Sequence, residues 1–107
     1  MVDMRNRQYA IDKAHKLYAE LVGNSIPVDS MYLFGSYAKE TATDYSDIDI
    51  AIVSPKFSGD RFDDNLLILP FVIKIESRIE THPYSPITFG ESPFVRDEIL
   101  TNGIKIV

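Results

Sequence analysis

Apolar positions along the chain change period several times, and each change predicts an element. From about Met4 to Val22, Ile11, Ala14, Leu17, Tyr18, Leu21 and Val22 recur at three- and four-residue spacing, the single stripe of an amphipathic helix. Gly23-Asn24 stops it, and Pro27 marks the connection. Val28 to Phe34 reads as a buried strand running into Gly35-Ser36, with room for about one helical turn over Tyr37 to Glu40. Asp47 to Val53 predicts a second strand. Its Ile48, Ile50 and Ile52 share one face, while Asp47, Asp49 and Ala51 share the other. The isoleucines belong in a core, so the aspartates face away from it.

Ser54-Pro55 ends that strand, and Asp60 to Glu76 predicts a helix with Phe62, Leu66, Leu69 and Ile73 turned inward. Pro70 lacks the N–H for a helical bond, so it should kink this helix or split it in two. Arg78 to His82 predicts a third strand ended by Pro83. Pro93 to Asn102 predicts a last helix carrying Phe94, Ile99 and Leu100, with Gly103 as its C-terminal cap. Ile104 to Val107 adds a short edge strand. This order gives an α/β (α+β) two-layer fold: a small sheet, helices packed on one face, and the aspartates on the open face.

A chain of 107 residues fits one domain, 1–107, with one core. Its 45% apolar and 25% charged content is ordinary for a soluble globular protein. No run approaches the ~18–20 apolar residues that span a bilayer, so no membrane association is expected. The polar start is unlike a signal peptide, and with no cysteine there are neither disulfides nor thiolate metal sites. A cytoplasmic location is the expectation. The net charge of −5, with eleven scattered basic residues, argues against broad binding to nucleic acid.

The chemistry concentrates in Leu33-Phe34-Gly35-Ser36 and Ser46-Asp47-Ile48-Asp49. Gly35 has no Cβ, so its backbone can approach a phosphate closely. Ser36 can donate its hydroxyl to a phosphate oxygen. Asp47 and Asp49, two residues apart on one strand face, have Cα atoms roughly 6.6 Å apart and can share hard cations. A phosphate cradle facing paired carboxylates suggests metal-dependent chemistry on a nucleoside triphosphate. His15 reads as a surface residue and His82 as a strand-end histidine. Tyr37 and Tyr45, flanking the polar loop, read as packing residues that could also cover a base.

Gly-Ser followed by Asp-x-Asp at this spacing resembles the signature of the DNA polymerase β-type nucleotidyltransferases, and the short chain is most similar to their minimal nucleotidyltransferase branch. The ending, from Ile79-Glu80-Thr81-His82-Pro83 to Gly103-Ile104, also looks like the tails of small members. The resemblance implies a polymerase β-type fold and transfer of AMP from ATP, with two Mg²⁺ ions as cofactors. It implies Asp47 and Asp49 as metal ligands and catalytic residues, with a third carboxylate on the next strand, Glu80, or Glu76 as the alternative. Gly35, Ser36 and Lys39 would bind the nucleotide, and Arg78 would reach the triphosphate or pair with Glu80. At Ala38-Lys39-Glu40 small members often read Ala-Arg-Gly, so Glu40 departs from the pattern and adds negative charge near the triphosphate. By the same resemblance the acceptor is a hydroxyl on a HEPN-domain partner, making this chain an AMPylating antitoxin of a toxin–antitoxin system. The rival expectation is a non-catalytic antitoxin that neutralises its partner by contact.

Overall fold

The computed structural model describes residues 6–107. Helix α1 spans Arg7–Gly23, and the Asn6 side chain caps it by accepting the Gln8 N–H. Met4 and Arg5, where the sequence places the start of this helix, lie outside the described residues. Ala10, Ala14, Leu17 and Leu21 form its fully buried stripe, with Val22 left outside at the helix end.

Strands β1 (Ser30–Phe34), β2 (Ile48–Val53), β3 (Ile79–Tyr84) and β4 (Ile104–Lys105) form one mixed sheet in the order β3-β2-β1-β4. β1 runs antiparallel to both β2 and β4, whereas β2 and β3 are parallel. A parallel pair needs a crossover, and α2 (Arg61–Ile75) supplies it. One face of the sheet presents Met31, Leu33, Ile48, Ile50, Ile52 and Ile79 to the buried residues of α1 and α2. The α/β class and the face assignment of the isoleucines follow the alternation in the sequence.

The other face is partly covered. Helix α3 (Pro86–Glu91) and a π-helical turn at Val95–Leu100 bring Phe89, Val95 and Ile99 over Phe34, Ala51, Tyr32 and Tyr84. Helix α3 is an element that apolar periodicity does not show; Ser85-Pro86 opens it, and Ser85 and Thr88 cap each other reciprocally. Gly103 follows the π-helical turn without a positive φ. A Cβ there would lie 2.3 Å from the Ile99 carbonyl oxygen, so close backbone approach is what requires glycine.

Three other expectations are corrected. Helix α2 is not split at Pro70: it is one helix through that residue, which is exposed on the same side as Leu66, so the Leu66 carbonyl that loses its bond can be hydrated. Its buried residues are Asp64, Ile68 and Val72, and the stripe expected inward is outside: Phe62 is 71% exposed, Ile73 62%. Asp64 is buried because the loop before the helix binds it. Its carboxylate accepts the Ser58 N–H and hydroxyl and the Gly59 N–H at 2.8–3.0 Å. Strand β3 also continues through Pro83 to Tyr84. As a sheet edge it tolerates a residue without an N–H.

Candidate active site

The parallel register of β2 and β3 sets Asp49 directly beside Glu80. Strand side chains alternate, so Glu80 and His82 project from the same face as Asp49. One ligand atom from each of Asp49, Glu80 and His82 lies within 4.8 Å of the others. His82 Nε2 is 3.2 Å from Asp49 Oδ1, and its Nδ1 is 3.1 Å from an Arg61 guanidinium nitrogen. The Phe34 ring meets the imidazole edge-on, with centroids 4.8 Å apart.

Gly35 backs this cluster. Its φ is +74°, a region that L side chains avoid, and a Cβ would stand 2.3 Å from Asp49 Oδ2. Only a bare backbone fits between β1 and that carboxylate. The turn that follows is held by Lys39 N–H donating to the Gly35 carbonyl at 3.1 Å and Thr41 N–H donating to the Ser36 carbonyl at 2.9 Å. Glu40 sits in this turn at φ +61°, a conformation that favours glycine.

A cavity of about 140 Å³ opens beside the cluster, lined by Gly59, Arg61, His82, Pro83, Tyr84 and Thr88. None of these is acidic. Burial pushes the Tyr84 phenol above its ordinary value, against the opposing pull of Arg61.

The remaining sequence-derived residues separate. Asp47 is exposed one residue ahead of β2 and is not among the side chains that converge with Asp49. Ser36 is half-buried in the glycine turn. Lys39 is exposed and pairs with Glu98 of the π-helical turn at 3.3 Å. Glu76 lies elsewhere: its carboxylate accepts the Tyr9 hydroxyl at 2.6 Å and stands 3.6 Å from the Arg78 guanidinium. Burial alone would raise its pKa, but Tyr9, the Arg78 backbone N–H and the Arg78 charge together hold it below the usual value. Arg78 precedes β3, stands beside Glu76 and donates to the Tyr37 hydroxyl. Tyr37 is 1% exposed within the core and cannot cover a base, whereas Tyr45 is 95% exposed.

His82, which the sequence presents as a strand-end histidine, stands within this cluster. The alternation that pairs Asp47 with Asp49 also pairs Glu80 with His82. What local spacing lacks is the register that lays Asp49 across from them. The grouped carboxylates offer hard oxygen donors, a set that fits a divalent cation.

Clustered carboxylates on adjacent strands, backed by a glycine turn, form a donor set that could take a divalent cation. The chain matches a family model for the nucleotidyltransferase domain over residues 12–106 and belongs to that family. The match includes Gly35, Asp49, Glu80 and His82. The fold is also similar to that of a Sulfolobus solfataricus protein whose crystal structure was described as that of a candidate nucleotidyltransferase. The TM-score is 0.59 at 21% identity, over 92% of this chain and 84% of that one. No curated protein matches the chain significantly.

Proposed function

We propose that this protein is a Mg²⁺-dependent nucleotidyltransferase that moves AMP from ATP to a hydroxyl of a partner protein. The partner in this reading is a HEPN-domain toxin, with this chain as its antitoxin, acting in the cytoplasm as a single domain over 1–107. The observation that carries the catalytic part is the pairing of Asp49 with Glu80 across β2 and β3, against Gly35. The rest is supported by family membership and by the resemblance in the Gly-Ser and Asp-x-Asp words.

Asp49 and Glu80 would hold the cation, with Asp47 assigned to it by the resemblance in the Asp-x-Asp word alone. Bound there, Mg²⁺ would neutralise charge on the phosphates in an in-line displacement. Gly35 leaves the backbone bare for a phosphate, and Ser36 offers a hydroxyl beside it. Lys39 would have to exchange Glu98 for the triphosphate. The acceptor oxygen attacks the α-phosphorus, its bond to the bridging oxygen breaks, and pyrophosphate leaves. A Glu80 carboxylate oxygen accepts the acceptor's proton.

The test is incubation of the protein with ATP and Mg²⁺, with and without the protein encoded beside it, read by intact mass. AMP units appearing on that neighbour, and lost in Asp49→Asn and Glu80→Gln, support the assignment. A confirmed complex in which neither protein gains mass would refute it. One observation favours the rival reading of neutralisation by contact: the exposed stripe of Phe62, Leu66, Leu69 and Ile73 on α2. If Phe62→Ser/Ile73→Ser abolishes neutralisation while Asp49→Asn leaves it intact, contact alone is the mechanism.

A further inference from the structure

We propose that Arg61 and His82 are positioning residues that hold Asp49 through two linked hydrogen bonds, and that His82 is not itself a metal ligand. The inference rests on the proposed function for the cation; the hydrogen-bond chain stands on its own geometry. It runs from Arg61, the first residue of α2, through His82 on β3 to Asp49 on β2.

The direction of the bonds decides the role. A guanidinium can only donate, so His82 Nδ1, 3.1 Å from Arg61, must accept. The proton of the imidazole therefore sits on Nε2, which points at Asp49 Oδ1 over 3.2 Å. A nitrogen carrying that proton has no lone pair to offer a cation. Of the three converging side chains, only the two carboxylates are left to act as ligands.

Two neighbours frame the chain. Phe34 holds the plane of the imidazole from one side. The second oxygen of Asp49 occupies the space that a side chain at position 35 would take, so the bare backbone of Gly35 is what leaves room for it. The His82 and Asp49 side chains are 13% and 23% exposed, so water has limited access to the bond between them. Outer partners of this kind orient a ligating carboxylate, and losing one typically weakens metal binding roughly 10- to 100-fold.

Long-range ¹H–¹⁵N NMR of the wild-type protein reads the tautomer, before and after addition of diamagnetic Mg²⁺. The expected result is a proton on Nε2 in both states, with the Nδ1 resonance moving in Arg61→Ala. A proton on Nδ1, or loss of the Nε2 proton on adding Mg²⁺, overturns the proposal. Titration with Mn²⁺ followed by electron spin resonance gives the second readout. His82→Ala should weaken Mn²⁺ binding roughly 10- to 100-fold. His82→Gln, whose amide N–H reaches the position of Nε2–H, should recover most of it. Wild-type affinity in His82→Ala overturns the proposal. A wild-type protein that binds neither cation refutes the metal reading of the site and leaves the tautomer alone to decide the chain.

Discussion

Replacing Gly35 by alanine imposes two costs on the turn. At φ +74° an L residue costs about 1–2 kcal/mol relative to its preferred backbone. The new Cβ would stand 2.3 Å from Asp49 Oδ2, where ordinary contact begins at 3.4 Å, so the oxygen must retreat by 1.1 Å (3.4 − 2.3). Asp49 Cγ and Cβ, at 3.2 and 3.3 Å, crowd the same space, so rotating the tip of the side chain gives no escape. The bond from His82 to Oδ1 resists moving the carboxylate as a whole. Overpacking of this kind typically adds about 1–3 kcal/mol. The expected destabilisation is therefore roughly 2–5 kcal/mol, a fall in Tm of at least about 8 °C for a domain of this size. Thermal unfolding by circular dichroism measures it. A displacement near 1 Å at the carboxylate should also lower nucleotide transfer about 100-fold in molecules that still fold. Gly90→Ala is the control: a methyl group added there would meet nothing within 4 Å in helix α3, and its Tm should equal or exceed wild type. A Gly35→Ala protein with wild-type Tm and wild-type Mn²⁺ affinity would refute the contact between the turn and Asp49.

Glu40→Gly relieves a left-handed residue at φ +61° and loses only an exposed 3.6 Å pair with Arg7, so it should stabilise the protein by up to about 1 kcal/mol in urea unfolding. No gain would show that the turn is not strained. Asp64→Ala leaves the Ser58 and Gly59 N–H groups without their acceptor and should cost about 1–3 kcal/mol in the same assay, with Asp64→Asn losing less. An unchanged midpoint counts against a role for Asp64 in holding the loop. Glu76 is held below its ordinary value of 4.5 by Tyr9 and Arg78, which outweigh burial. A depressed folded-state pKa gives stability that is present above 4.5 and lost as pH falls through the folded value. Glu76→Gln should therefore flatten the acid limb of a stability-versus-pH curve, and a curve parallel to wild type would exclude the linkage.

Local sequence was enough to place the elements that frame the site. The alternation of Ile48, Ile50 and Ile52 with Asp49 and Ala51 marks the face that meets α1 and α2, because a one-residue slip would turn the isoleucines away from those helices. Gly35 at the end of an apolar strand marks the turn, and its lack of a Cβ is what the structure uses. Helix α1 carries one stripe, so its buried face is legible from spacing alone. Helix α2 is different. Arg61-Phe62-Asp63-Asp64-Asn65-Leu66-Leu67-Ile68-Leu69-Pro70-Phe71-Val72-Ile73 has apolar residues on more than one face. No periodicity chooses among them, and Asp64 argues against the face that is buried. The choice falls to tertiary contacts: the Ser58–Gly59 loop satisfies Asp64, and Ile68 and Val72 then meet the sheet.

The site divides in the same way. A chain containing Gly35-Ser36 and Asp47-Ile48-Asp49 declares chemistry at a turn and a strand, because both depend on neighbours one or two residues away. Joining Asp49 to Glu80 and His82 depends on the register of two parallel strands 31 residues apart in sequence, carried by a crossover helix. Side-chain alternation repeats every two residues and holds no record of which residue lies across the next strand. The sequence by itself therefore determined the strands, their buried faces and the bare backbone at Gly35. Only tertiary structure decided which carboxylates meet and that His82 stands between Arg61 and Asp49, because those contacts exist only once β2 and β3 are laid side by side.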